Sequence, residues 1–389
     1  MNYPREIRLV IERLENSGFE AFLVGGALRD ALLGREANDF DVTTSALPSE
    51  MQRVFSDFKT IETGLKHGTL TVLADGIPVE VTTYRIDGEY LDARHPSEVV
   101  FTRNLREDLA RRDFTVNAMA YSEKAGLVDL FGGKEDLERG LIRAVGEPEK
   151  RFTEDALRIL RAFRFASKLG FAIEDATSRA ISVCREGLRH ISAERIAAEL
   201  VGILVGKNAA RALALMKESG VLDLVLPEAE LRDGLTGLSP KFETRLAFLC
   251  KSTAKGALLA RLHALKLSNA QITAVSRLVE LANGEISVSS EPQARHLMAQ
   301  SGALFAPLLE LWEAEGRAVE ALRDAAACVA ARGDCLRLSD LAIDGKDLMA
   351  LGYKGKEIGI ALETLFEAVL DDPSRNQKEK LIQYLKNIG

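Results

Sequence analysis

Cysteine is scarce in this 389-residue chain: Cys184, Cys250, Cys328 and Cys335 lie far apart, with no C-x-x-C pair. That spacing excludes a disulfide framework or a thiolate zinc site as an organising device and fits a reducing cytoplasm. No apolar run approaches the ~18 residues of a membrane span, and the opening MNYPREIRLVIERLEN is amphipathic without a signal-peptide block, so no membrane partner is expected. Positive charge is not in excess either. The formal net charge of −7 excludes a uniformly basic coat, so any polyanion has to meet local positive patches. The five histidines, His67, His95, His190, His263 and His296, stand alone, and none forms the His-Asp pairing of a metal phosphohydrolase. Walker and G-x-G-x-x-G loops, fixed-period repeats and low-complexity tracts are all missing.

What is present is an ordinary globular balance, 28% charged and 47% apolar, over a length suited to two to four domains. The chain changes character near residue 140. Before it, Ala21–Val24, Phe40–Thr43, Leu70–Leu73, Val79–Tyr84 and Leu127–Leu130 read as strands alternating with helices. Beyond it, helical periodicity is almost unbroken. Pro227, the stretch from Asp233 to Pro240, and Asn283 to Pro292 read as joints. The expected fold is an α/β head over 1–140 with a mixed sheet, followed by all-α segments over 141–205, 206–335 and 336–389.

Four clusters carry chemistry. In LVGGALRDALLGREANDFDVTT, Leu23–Thr44, Gly25 and Gly26 follow a strand and open a helix near Ala27; free N–H groups at its start suit phosphate oxygens, and Arg29 adds a charge-assisted contact. An ordinary strand-to-helix turn would read the same way. Asp39 and Asp41, one residue apart, would share a strand face, a repulsive arrangement that a divalent cation relieves; magnesium, which favours carboxylates plus phosphates, implies phosphoryl or nucleotidyl transfer. A solvated turn at Asn38-Asp39 is the alternative. Glu80, flanked by Val79 and Val81, would complete a three-carboxylate cage or act as general base if its strand adjoins the first; otherwise it faces solvent. Arg111-Arg112-Asp113 with Asn117 pairs phosphate-seeking cations with sugar-binding groups, a pattern shared with salt-bridged helix starts.

The last cluster is read as one helix from Glu154 to Lys168. Glu154, Arg158, Arg161 and Lys168 form a polar stripe, with Ala156, Ile159, Leu160, Phe163 and Ala166 facing a core. Asp155 lies three residues before Arg158, setting an acceptor beside a rigid donor fork. Cytosine and adenine each present an amino donor beside a ring-nitrogen acceptor, which such a pair complements; guanine and uracil reverse that polarity. A surface helix laced with ion pairs would give the same spacing.

These motifs, in order, resemble those of the class II CCA-adding enzymes, tRNA nucleotidyltransferases of the polymerase-β superfamily. LVGGALRDALLGREANDFDVTT is similar to the family's metal-binding motif, GLKHGTLTV and VEVTTYR to its next strands, RRDFTVNAMAY to its ribose-selecting motif, and RFTEDALRILRAFRFASKLGF to its nucleobase-reading helix. ISAERIAAEL and the tail LAIDGKDLMALGYKGKEIG match more weakly, and 206–335 carries little that matches.

The resemblance implies a catalytic head, a neck with the base-reading helix, a body and a tRNA-contacting tail. It implies Asp39 and Asp41 as magnesium ligands, Gly25, Gly26 and Arg29 as nucleotide contacts, and Arg112 with Asp113 at phosphate and ribose. It further implies Asp155 and Arg158 as the amino-acid template, Glu154 holding Arg158, and Arg161 and Arg164 as further nucleotide contacts. The expected reaction adds C, C and A to tRNA from CTP and ATP by two-metal-ion transfer, with the acceptor and TΨC arms recognised by shape. Eight Lys/Arg against four acids between Arg139 and Lys168 give a local positive patch for phosphates. The stretch HGTLTV and the lack of a long basic extension favour this over poly(A) polymerase. The interval from Ile86 to Phe101, rich in Gly, Pro and charge, reads as a lever refitting the pocket from C to A, favouring full CCA addition over CC or A addition alone. A catalytically silent RNA-binding or nucleotide-sensing protein is the reading from another class.

Overall fold

Short runs of branched and aromatic residues assemble into a seven-stranded sheet in this computed structural model, which describes residues 3–37, 39–87, 90–92, 95–96, 99–284 and 290–388. The first elements are α1 (Arg5–Asn16), β1 (Ala21–Val24), α2 (Gly25–Leu32), β2 (Asp41–Thr44), α3 (Pro48–Val54), β3 (Lys59–Ile61), β4 (Thr69–Ala74) and β5 (Ile77–Thr83). After them come β6 (Arg85–Asp87), β7 (Tyr90–Asp92), β8 (His95–Pro96), β9 (Val99–Phe101), α4 (Leu105–Ala110), β10 (Met119–Ser122), β11 (Gly126–Asp129) and α5 (Gly133–Arg139). The strand order is β11-β10-β1-β2-β5-β4-β3, antiparallel throughout except for the parallel pair β2 and β5. All four residues of β1 are buried, as expected of a strand covered on both faces. Helix α1 turns Ile7, Val10, Ile11 and Leu14, at helical spacing, into the core.

The five expected strands lie at or within a few residues of the observed ones. Strand β10 hides in RRDFTVNAMAY, because a short strand buried nearly throughout shows no alternation. In the Ile86–Phe101 interval, β6 pairs with β9 and β7 with β8, both antiparallel. Residues 88–89, 93–94 and 97–98 of that proposed lever lie outside the described residues.

Past the sheet, α6 (Pro148–Glu154) and α7 (Leu157–Leu169) replace the single helix expected from Glu154 to Lys168. Asp155 breaks it: its backbone is extended, and its Oδ1 accepts the Leu157 amide at 3.0 Å, capping the new helix instead of continuing the old one. The core positions of the reading survive, with Ala156, Ile159, Leu160, Phe163 and Ala166 all buried. Helix α8 (Asp175–Cys184) packs on α6, and α9 (Ala193–Leu204) packs along α7.

The chain forms two compact units, Met1–Ala229 with Ala264–Lys266, and Glu230–His263 with Leu267–Gly389. The second is built of helices; at its C-terminal end Ile343, Leu348, Leu365, Val369, Leu381 and Leu385 form a core. All four cysteines are free. Among the described residues no helix is long and apolar enough to cross a membrane.

Candidate active site

A cleft of about 840 Å³ in the first unit gathers residues from α2, the entry to β2, the turn after α4, Asp155 with α7, and α9. Its wall begins at the glycine pair. Helix α2 starts at Gly25 itself, two residues earlier than expected, and Gly25 has φ +69°, a conformation that L side chains resist. A Cβ there would stand in ordinary contact, 3.4 Å from Asp41 Oδ2 and 3.6 Å from Arg112 Nη1, so it is the positive φ rather than lack of space that calls for glycine where an acid and a cation converge beside a helix N-terminus.

Asp39 and Asp41 both line the cleft, although only Asp41 belongs to a strand. Pairing with β1 ends at Val24↔Asp41 because the partner chain turns into α2 one residue later. On its other side Asp41 sits in register with Glu80 of β5. Asp41 is exposed on the cleft, yet the protein atoms around its carboxylate push its pKa above the ordinary aspartate value; Glu80 pushes it further, Arg112 opposes, and Asp39 adds a smaller upward push. Glu80 thus adjoins Asp41 but does not line the cleft, and no three-carboxylate cage forms: among the described residues no group of three or more His, Cys, Asp or Glu is arranged to hold a metal. A pair of carboxylates completed by substrate phosphates is the arrangement that magnesium tolerates best, so the donor set fits that ion with a nucleotide present.

The cationic wall is fixed by an internal network. Arg29, 3% exposed, donates Nη1 to Asn117 Oδ1 at 2.8 Å and Nη2 to Asp30 Oδ1 at 2.7 Å, and lies 5.2 Å over the Phe165 ring. Asn117 donates in turn to Asp113 Oδ1 at 3.1 Å, which also accepts the Phe114 amide, while Arg161 donates Nε to Asp113 Oδ2 at 2.7 Å. Burial pushes the Asp113 carboxyl up, but Arg161 and these hydrogen bonds outweigh it and hold it below the usual range. Asp113 in turn raises the pKa of Arg161, against the effect of burial. Arg164 donates to Glu199 Oε2 at 2.6 Å and stacks 4.9 Å over Phe165.

Asp155 and Arg158 both face the cleft. Arg158, 7% exposed, donates Nη1 to Glu154 Oε2 at 2.8 Å and to Arg151 O at 3.1 Å, and Nη2 to Arg111 O at 3.0 Å. Glu154 also accepts from Arg151 at 2.6 Å and does not line the cleft, so it acts on Arg158 from behind. Asp155 Oδ2 accepts from Arg195 Nη2 at 2.8 Å. Apart from Glu80 and Glu154, every candidate residue, Gly25, Gly26, Arg29, Asp39, Asp41, Arg112, Asp113, Asp155, Arg158, Arg161 and Arg164, lines this one cleft.

Sequence reasoning missed Arg195 and Glu199 of α9 and Asp108 of α4 as members of the network. Arg195 and Glu199 stand four apart within ISAERIAAEL, and Asp108 lies three and four residues before Arg111 and Arg112, the spacing of helical ion pairs. That spacing was the available signal, but a surface helix shows the same one.

Comparison with known proteins gives a consistent family. The model described as "Poly A polymerase head domain" matches residues 21–143, "Probable RNA and SrmB- binding site of polymerase A" matches 170–231, and a tRNA nucleotidyltransferase domain 2 model matches 243–385. The CCA-adding enzyme of Geobacillus kaustophilus is 38% identical over 97% of this chain and 95% of its own. That of Enterococcus faecalis is 36% identical over 99% and 96%. The crystal structure of Bacillus stearothermophilus CCA-adding enzyme in complex with CTP superposes with a TM-score of 0.83 at 36% identity, covering 100% of this chain and 99% of that one. The Thermotoga maritima CCA-adding enzyme complexed with tRNA shares the fold at a TM-score of 0.70 and 21% identity, over 99% and 95%.

Proposed function

The chain belongs to the CCA-adding enzyme family of tRNA nucleotidyltransferases, and from that premise we propose how its cleft adds C, C and A to the 3′ end of tRNA from CTP and ATP. The observation that carries the reading is that the acid pair Asp39 and Asp41 and the pair Asp155 and Arg158 open on one cleft of nucleotide size. Asp39 and Asp41 would hold Mg²⁺, whose charge would relieve the repulsion felt by Asp41. When bound, that ion polarises the α-phosphate and makes the tRNA 3′-hydroxyl easier to deprotonate. Glu80 acts on Asp41 through their register, raising its affinity for a cation, rather than by touching substrate.

Gly25 and Gly26 let the triphosphate approach the start of α2, where free N–H groups await it. Arg29 and Arg112 supply charge-assisted contacts to its oxygens, and Arg161 and Arg164 extend that wall. Four donors already fill the Asp113 carboxylate, so a ribose hydroxyl reaches it by replacing one contributed by Arg161. Asp155 accepts from the exocyclic amine of cytosine or adenine while Arg158 donates to the adjacent ring nitrogen. Guanine and uracil set acceptor against acceptor and donor against donor, at about 1–3 kcal/mol for each group left unpaired. The in-line attack on the α-phosphate expels pyrophosphate, and no covalent enzyme intermediate forms.

We further assign residues 1–140 as catalytic head, 141–205 as neck, 206–335 as body and 336–389 as the tail, with tRNA acceptor and TΨC arms held by shape, in the reducing cytoplasm that four free thiols suit. The deciding experiment supplies labelled CTP and ATP to a tRNA lacking its terminal CCA, with and without Mg²⁺. Two C and one A per tRNA, only with the ion, is the expected result. Long A tracts on unrelated RNA would indicate a poly(A) polymerase, and tRNA binding without incorporation a silent binder. Glu154→Gln, which removes the carboxylate charge shared by Arg158 and Arg151, is expected to lower CTP and ATP incorporation about tenfold together while leaving tRNA affinity unchanged. Gel-shift and incorporation assays on the same preparation check it.

A further inference from the structure

A carboxylate that the chemistry above does not use lies beneath the arginines of the cleft. Asp108 of α4 is fully buried. Its Oδ1 accepts from Arg111 Nη2 at 2.7 Å and Nε at 3.0 Å, and from the Arg85 amide at 3.4 Å. Its Oδ2 accepts from Arg112 Nη2 at 3.1 Å and from Thr43 Oγ1 at 3.2 Å. Burial pushes this acid's pKa up, yet the two guanidinium groups outweigh it and hold the carboxyl below the usual range, so it is an anion under working conditions.

Three consequences follow from that geometry. One anion shared between two cations leaves net positive charge turned toward the cleft that both arginines line. Arg112 spends Nη2 on Asp108, while its buried Nε has no partner among the described residues and its Nη1 lies 3.6 Å from the Cβ position above Gly25. The unspent Nη1 therefore sits at the start of α2, where the polyphosphate is expected. Thr43 lies two residues beyond Asp41 in β2, on the same sheet face, and the Arg111 carbonyl accepts from Arg158. Asp108 thus touches the strand that carries Asp41 directly and the base-reading arginine through one residue.

We propose that Asp108 is a positioning residue for the incoming nucleoside triphosphate, fixing the aim of Arg111 and Arg112 at its β- and γ-phosphates and setting the charge that meets them. This rests on the nucleotidyl-transfer reading and deepens it. A buried acid that merely held α4 in place would affect all ligands alike. One that aims the arginines acts on the polyphosphate selectively.

Asp108→Asn keeps the shape and one acceptor oxygen but frees Arg112 to turn to its next anion, Asp41. In the full-length protein with Mg²⁺, equilibrium binding of CTP is expected to weaken about tenfold or more, whereas CMP, lacking the outer phosphates, changes by less than about twofold. The KM for tRNA stays within about twofold, and CTP incorporation falls with CTP binding. Equal weakening of CTP and CMP, or unchanged CTP binding, overturns the proposal. If the single variant does not fold, Thr43→Val, which removes one hydrogen bond to the Asp108 carboxylate and no cation, is expected to show a smaller loss of the same triphosphate-selective kind, and equal weakening of CTP and CMP there overturns the proposal as well. A wild-type protein that fails to incorporate CTP would instead sink the reading on which this one rests, so the two failures are separable.

Discussion

Asp41→Asn is expected to abolish nucleotide addition, by about 10³-fold or more in CTP incorporation, while making the metal-free protein more resistant to heat. The first half follows from removing a cation ligand at the reacting phosphate. The second follows from Asp41 being uncomfortable as an anion: crowding by protein atoms, then Glu80 and then Asp39 raise its pKa, with only Arg112 opposing. A carboxyl whose pKa is higher folded than unfolded binds its proton more tightly in the native state. The stability that this one group contributes is therefore greatest below the unfolded value near 3.8 and is lost as pH rises through the raised native value. Above that window the wild-type protein carries the full cost, and Asn does not. Thermal melts in chelator across this pH range should show the variant's advantage over wild type growing as pH rises, against the opposite trend that Asp108 and Asp113, held below the usual range, give both proteins. Adding Mg²⁺ should raise the wild-type melting temperature and leave the variant's unchanged. Full activity of the variant, or a melt that ignores Mg²⁺ in both, would remove the acid pair from the chemistry.

Much of this arrangement could be read before any coordinates, and the reasons differ by residue. Asp41 was legible because a polar pair inside an apolar run conflicts with local propensity, and such conflicts concentrate at functional sites. Gly25 was legible because only glycine adopts its backbone without strain. The break at Asp155 was not, since Phe152 on one side and Ala156, Ile159 and Phe163 on the other keep helical spacing through it. Glu80 stayed ambiguous because strand adjacency is a long-range fact: Asp41↔Glu80 depends on a parallel pairing across 39 residues. Asp108 and Arg195 escaped for a similar reason, because their partners lie elsewhere in the fold or look like ordinary helical ion pairs.

Asp155→Asn should redirect nucleotide choice rather than merely reduce rate. The carboxylate does two things: Oδ1 caps α7 through the Leu157 amide, and Oδ2 accepts from Arg195. Asparagine can keep the cap with its own oxygen, which leaves an NH₂ where Oδ2 stood. That group is a donor facing the amino donor of cytosine or adenine, so a favourable contact becomes an opposed one. Uracil and guanine present a carbonyl there and gain a partner. With about 1–3 kcal/mol at stake on each side, the ratio of CTP to UTP incorporation should fall by about 10²-fold or more, with CTP and ATP affected alike. Truncating Arg158 is a poorer probe, because its guanidinium also holds the Arg151 and Arg111 carbonyls and its loss would loosen the cleft itself. Single-turnover incorporation of each of the four nucleotides into tRNA lacking CCA measures the ratios directly. A variant that slows all four equally would reduce Asp155 to a helix cap and leave the choice of base to be found elsewhere in the cleft.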